Sequence, residues 1–436
     1  MSRIIFVILC ALIIWVPIPF GSNRPWAWSL LQLLIAITFA LHLFNAWRGT
    51  KPLLPQNKKA YWLLAPLAIT QLWVFIQTLP IAPNSISGAI SLDPAQSQIS
   101  LLRGISYTMW AWLLLIYVNK KSRIKRLMQI IVLSGLIQAG YASLEILLDG
   151  SLGWLFVAPL TDRANGSFIY HNHLANYMGL CIAAALGLLM YEMKTEREDT
   201  NWRQKLRGFY EFVLSSKIII RLSAIVMIIA LILTKSRMGN AGFFAALTMV
   251  GLYALFFYRN KPVHFKTLII SIFILDIAIV GAVFGIDKVR ERLETTSFAS
   301  EARDEVVIDS MPMLEQYWLT GTGAGSFYST FPNYQPAVYF GFYDHAHNDY
   351  LQFVAELGAP VVLMLLVMLI AIAWQQLTAM TKRGRLERGA AFAGLMAIIY
   401  MAFHSTVDFS MQAPAGMLIF MCFISLVLAR SQQCIE

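Results

Sequence analysis

Two kinds of residue in this 436-residue chain stand where they could do chemistry. One is arginine set apart from the other basic residues: Arg163 in TDRANGSF, Arg237 in KSRMGN, and Arg303 at the head of a mixed polar and apolar segment. A guanidinium is permanently charged and forks onto phosphate oxygens, so several of them converging on one cavity suit a diphosphate. The other reading of any single arginine is snorkelling or a local ion pair. For Arg237, in so short a turn beside Lys235, function is the better reading.

The second kind is histidine grouped with Asn and Asp. DHAHNDYLQFVAELG, residues 344–358, places His345, His347, Asn348 and Asp349 just ahead of an apolar run. Imidazole titrates near neutral pH and can move a proton, which arginine cannot. Free N–H groups of a first helical turn nearby would favour an anion. Asn348 and Asp349 read equally well as helix caps. His-x-His followed by Asp could also ligate a metal, which stays a minority reading because there is no HExxH, no further outer His cluster and no carboxylate pair at a fixed spacing. Two further groups are YHNHLANY, with His171, Asn172 and His173, and FHSTVDF, with His404 and Asp408. By default the last two are polar contacts between helices.

The elements that must position these residues lie in lipid. The chain is 58% hydrophobic and 13% charged, against roughly 25% charged in a soluble protein, and its mean hydropathy is +0.61. A soluble enzyme and a disordered chain are both excluded. Apolar stretches of spanning length recur near 4–20, 27–46, 60–80, 102–118, 127–148, 172–191, 219–234, 241–258, 267–285, 351–374, 390–407 and 414–430. The expected fold is an all-α polytopic membrane protein of about twelve transmembrane helices, a single domain over 1–436. Met1 to Phe20 is read as its first span rather than a signal peptide.

The net charge of +10 gathers in alternate loops, from Arg48 to Lys59, Lys120 to Arg126, Lys194 to Lys217, Arg259 to Lys266 and Lys382 to Arg388. That pattern is topology, not nucleic-acid binding, and puts both termini in the cytoplasm. Arg163, Arg237 and Arg303 then fall on the outer side, where arginine needs a reason. Cys10, Cys181, Cys422 and Cys434 form no CxxC pair, so neither a disulfide framework nor a zinc site follows. The longest outer loop, 286–350, has an acidic excess. Within it Val307, Met311, Leu314 and Trp318 share one helical face among Arg303, Asp304, Glu305 and Glu315, as in an amphipathic helix on the membrane surface or capping the bundle. GTGAGSF at 321–327 does not fit GxGxxG and is expected to be a flexible turn.

In order and sidedness these segments resemble the O-antigen ligase and polymerase superfamily of bacterial membrane glycosyltransferases, over about residues 160–410. RANGSFIYHNHLANY resembles that family's Arg, Gly-Ser/Thr-Phe, Asn-His-x-Ala segment, LTKSRMGN its Ser-Arg turn, and Arg303 with LTGTGAGSF parts of its large periplasmic loop. HNDYLQFVAELG resembles its His-Asn and Gly signature, here His347, Asn348 and Gly358, and FHSTVDF its late His-Ser and Asp segment. Val361 departs from the Gly, Thr or Tyr that usually closes the signature.

The resemblance implies a GT-C-like bundle and a glycosyltransferase that needs no cofactor or metal. Its donor would be a sugar chain on undecaprenyl diphosphate at the periplasmic face of the inner membrane. The acceptor would be lipid A-core in a ligase, another lipid-linked repeat unit in a polymerase, or a protein hydroxyl in a third branch. Overall likeness leans to a ligase of lipopolysaccharide biosynthesis. Arg237 and Arg303 would hold the diphosphate and His347 would take the acceptor proton. Arg163, Asn172, His173, His345, Asn348, Asp349 and His404 would line the substrates. A secondary transporter or flippase is the rival from another class, but no internal repeat supports two matching halves.

Overall fold

A computed structural model describes residues 1–82, 87–149, 151, 163–192, 216–257, 270, 271, 274, 302–336, 343–382 and 384–429. Among the described residues there are helices, turns and loops and no strand. The helices are α1 (Ser2–Trp15), α2 (Pro25–Trp47), α3 (Tyr61–Thr78), α4 (Pro94–Tyr117), α5 (Lys121–Leu147), α6 (His171–Glu192), α7 (Ser216–Leu233) and α8 (Arg237–Phe257), then α9 (Ala302–Asp309), α10 (Met311–Tyr317), α11 (Phe327–Thr330), α12 (Asp349–Leu357), α13 (Ala359–Lys382), α14 (Arg385–His404) and α15 (Pro414–Leu426). Among the described residues eight helices are long and apolar enough to cross a membrane, and Ser2–Trp15, Ile218–Leu233 and Pro414–Leu426 are shorter apolar helices. The chain is an all-α polytopic membrane protein. The expected span at 267–285 lies, apart from three residues, outside the described residues, as do much of 286–350 and Cys434. Cys10, Cys181 and Cys422 are buried free thiols.

The bundle is built around α6. Its side chains from His173 to Met190 are all buried, the pattern of a helix packed on every face. Small residues make this close packing geometrically feasible. A Cβ at Gly187 would lie 2.4 Å from the carbonyl oxygen of Gly389 in α14, and one at Gly179 would lie 2.2 Å from the Tyr400 ring. Such small-residue contacts let helix backbones approach where lipid gives no hydrophobic drive.

Successive spans run up and down, so their ends sort into two sets. At one end Ser167 Oγ donates to Pro17 O, Ala164 N to Leu233 O at 3.0 Å, Gln77 Nε2 to Thr320 O and Ser97 Oγ to Ala324 O. The other end holds the basic turns, with Arg123 donating to Tyr117 O and Ser2 Oγ and Lys125 3.4 Å from Glu192.

Three local expectations need correction. The helix expected to run unbroken through 351–374 is split. Gly358 (φ +82°, ψ 151°) ends α12, and the next amide, Ala359 N, turns to Trp318 O. A glycine with positive φ is a natural helix stop. The amphipathic segment is two short helices, divided where Pro312 enters the first turn of α10. Its buried stripe is Val306, Ser310 and Met313, while Met311 and Trp318 are 45% and 56% exposed. Val306 and Met313 join Phe327, Phe331, Ala346, Leu351 and Ala355 in a small second core, so the segment caps the bundle.

Third, GTGAGSF is not a loose turn. Thr322 N and Gly323 N donate to Ala355 O and Glu356 O, and Gly325 N donates to Glu356 Oε2 at 2.7 Å. Gln77 holds the loop from the other side, accepting from Ala324 N and donating to Thr320 O. Gly323 (φ +106°) has no room for a side chain, because a Cβ there would meet Ser91 Oγ at 2.1 Å. The loop wraps a buried carboxylate of its own chain.

Candidate functional site

Phe409, only 3% exposed, is the point on which two distant segments converge. His345 stacks on its ring at 4.1 Å between centroids. His173, His347 and Tyr170 meet it edge-on at 4.7, 5.1 and 5.7 Å. Beside it, Asp408 Oδ1 accepts from Phe409 N and lies 3.9 Å from His347 Nδ1. That gap is longer than a hydrogen bond, and a catalytic hydrogen bond is often long before substrate arrives. His347 has φ +51°, a left-handed backbone that costs a residue with a Cβ and that functional sites tend to retain. Its ring is held out from the strap, with 19% of the side chain exposed.

Electrostatics separate the roles. Burial alone would raise the Asp408 carboxyl, but His347 facing it and the nearby His173 and His404 outweigh burial and hold the group below the usual carboxylate range. Asp408 is therefore an anion. Burial pushes His345 below the ordinary imidazole value, with Asp344 opposing, which suits a neutral stacking ring better than a base.

The strap carrying the histidines is fixed by α12. Asn348 is its N-cap, Oδ1 accepting from Leu351 N at 3.1 Å, so the capping reading holds for that residue. Asp349 is no cap. Its buried carboxyl accepts from Ser405 Oγ at 2.8 Å and Met411 N at 2.9 Å, and its amide donates to Ser405 O. It ties α12 to the turn bearing Asp408 and Phe409. Burial pushes this carboxyl up to about 7, against the donors from Met411 and Ser405. Gln352 accepts from Ala346 N, between the two histidines, and donates to Glu356 Oε1 at 2.8 Å. Glu356 in turn closes the glycine loop, and burial raises its carboxyl. His404 pairs through Nδ1 with Ser410 Oγ, in the short turn that follows its own helix, and this contact is not the interhelical one expected.

The arginines stand at the rim. Arg163 lies 3.1 Å from His171 Nε2, at the start of α6. Arg237 opens α8 and is exposed; two residues on, Gly239 packs against Ala175 of α6. Asn172 is half-buried in the same first turn of α6. Arg303 lies in the first turn of α9, one turn before Val306, which packs with Ala346; its side chain lies outside the described residues. Among the described residues no three of His, Cys, Asp and Glu gather as a metal site.

Sequence reasoning missed Phe409, Gln352 and Glu356, and passed over Arg103, whose guanidinium lies over the Trp28 ring of α2 at 4.3 Å and acts on His345. Gln352 and Glu356 had a signal, since with Asp349 they occupy one helical face at i, i+3 and i+7. Phe409 closes the FHSTVDF segment between two expected spans, and only its place beside Asp408 marked it. Arg103 was hidden in the span expected at 102–118.

A polar cluster of imidazoles and a buried carboxylate at one end of a helical bundle, with arginines at its rim, defines a membrane-embedded protein with a site at the mouth of its helices. Residues 222–366 match the family model described as O-antigen ligase, a stretch that contains Arg237, Arg303, the glycine loop and His347. The match supports the O-antigen ligase and polymerase superfamily, whose members are glycosyltransferase-like enzymes. No curated protein matches the chain.

Proposed function

We propose that the protein is an O-antigen ligase, an inverting glycosyltransferase that moves polysaccharide from undecaprenyl diphosphate to a sugar of lipid A-core. The observation that carries this reading is His347 facing the anionic Asp408 at the end of the bundle where Arg163 and Arg237 sit. With Nδ1 turned to Asp408, His347 offers Nε2 to the acceptor hydroxyl and takes its proton. Asp408 balances the imidazolium charge, as a base-orienting carboxylate does.

The freed oxygen attacks the anomeric carbon from the face opposite the diphosphate. The carbon–oxygen bond to the diphosphate breaks, its electron pair leaves with the phosphate, and the anomeric centre inverts. Arg237 and Arg303, with Arg163, hold the diphosphate and stabilise the charge that grows on it. Fixed cations act most where charge develops, so the reaction needs no metal. Asn172, His173, His345 and His404 shape the pocket, while Asn348 and Asp349 hold its strap. The basic turns at the far end of the bundle favour the cytoplasm for that end and both termini, and the periplasm of the bacterial inner membrane for the site.

Deletion in the host followed by surface polysaccharide analysis tests the reading. Polymer accumulating on the lipid carrier is the expected result; single repeats on lipid A-core would make the protein a polymerase instead. His347→Ala should abolish transfer of polymer to lipid A-core on a gel, and full activity of that variant would remove the base. Activity should persist in excess EDTA; complete inhibition reversed by one divalent ion would overturn the metal-free mechanism.

A further inference from the structure

A second pair of arginines, on other helices, acts on the same cluster. The first turns of α4 hold the glycine loop: Ser97 Oγ donates to Ala324 O, and a Cβ at Gly325 would lie 2.3 Å from Ser100 Oγ. Arg103 comes next on that helical face, one turn past Ser100. Its guanidinium carbon lies 4.3 Å from the centre of the Trp28 ring. Its Nε is buried without a hydrogen-bond partner. The carboxylate it acts on, Glu356, is not within ion-pair distance, being occupied by Gly325 N and Gln352. Arg103 also acts electrostatically on His345, so its charge is felt inside the histidine cluster.

Arg24 caps α2 one turn before Trp28, whose amide donates to Arg24 O at 3.0 Å. It is exposed, lies over Phe20 at 5.8 Å and acts on Tyr170, the ring at the edge of Phe409. Arg24, at the cap of α2, and Arg103, on the Trp28 ring, thus belong to α2 and α4, whereas Arg163 precedes α6 and Arg237 opens α8. A half-buried guanidinium with an unmet donor, at membrane depth, is costly unless something anionic completes it.

We propose that Arg103 and Arg24 form a second anion-binding flank of this site, which takes phosphate groups on the sugar head group of the acceptor lipid. Two cationic flanks on different helices fit two anionic reactants. The donor brings one diphosphate, which the α6 and α8 side receives. Trp28 holds the Arg103 fork in place by cation–π contact, so that less is lost in ordering it when phosphate binds. This inference rests on the transferase reading above.

The test uses the full chain in detergent with two acceptors, lipid A-core bearing its phosphates and the same material dephosphorylated. Binding of each acceptor and the KM for acceptor and for donor are measured separately. Arg103→Gln should weaken binding of the phosphorylated acceptor, and raise its KM, by about tenfold or more. It should leave dephosphorylated acceptor and donor KM where they were. Arg24→Gln, at an exposed helix cap, should act in the same direction to a smaller extent, and Arg103→Lys should recover part of the loss. Equal loss with both acceptors, or a rise in donor KM instead, would overturn the assignment. If the native chain transfers nothing, the transferase reading fails by itself. The binding arm still decides the flank, since equal retention of the two acceptors would sink it.

Discussion

The proposed role of His347 as base depends on the charge of the carboxylate that faces it. Asp408→Asn keeps the shape and removes the charge, so turnover should fall roughly a hundredfold with little change in donor binding, measured as kcat against KM in detergent. Arg237→Lys keeps the charge and loses the fork; transfer should drop at least about tenfold while the melting temperature holds, and normal transfer by this variant would remove Arg237 from the mechanism. Asp349 makes a pH prediction. Its folded pKa of about 7 is above the ordinary carboxylate value, so between the two the folded chain holds a proton that the unfolded chain has lost. Stability must therefore fall as pH rises through that window. The melting temperature of the native chain should decline from pH 5 to pH 7, and Asp349→Asn should flatten that slope. At this scale the sequence was informative about histidine, arginine and the cap at Asn348, because their chemistry is local. It was silent on Phe409 and Arg103, whose roles exist only through partners far along the chain.

Among the elements, α12 and the glycine loop do most to aim the strap. Gly321 (φ +71°) lies so close to α12 that a Cβ would sit 2.2 Å from Glu356 O. Gly321→Ala should cost about 2 kcal/mol or more, from the strained backbone and the clash together. It should also lower activity by displacing Glu356, Gln352 and then Ala346. Glu356→Gln replaces the carboxylate that receives Gly325 N with a group that has one acceptor fewer; a destabilisation of about 1–3 kcal/mol, read by thermal melts, is expected. Periodicity located the long apolar helices because lipid demands length and hydropathy. The break at Gly358 and the division at Pro312 were harder to see. Each rests on an amide or side chain finding a tertiary partner, Trp318 O in one case and the small cap core in the other.

For the molecule as a whole, sidedness is the testable property. Among the described residues the native cysteines Cys10, Cys181 and Cys422 are buried, so a background in which Cys434 is replaced by Ser is quiet for labelling. Glu315→Cys, on the exposed cap, should react with a membrane-impermeant maleimide in intact spheroplasts, and Lys58→Cys, at the basic end, only after permeabilisation. The reverse pattern would put the site in the cytoplasm. Composition and recurring apolar stretches made the helical membrane architecture legible; the gathering of the polar cluster did not show, since its parts come from distant regions of the chain. That gathering has a consequence for biosynthesis. Phe409 and Asp408 emerge from the ribosome after nearly every other span, so a nascent or prematurely terminated chain can thread into the bilayer without a finished centre. The cell would then meet a competent catalyst only once the closing hairpin had been inserted.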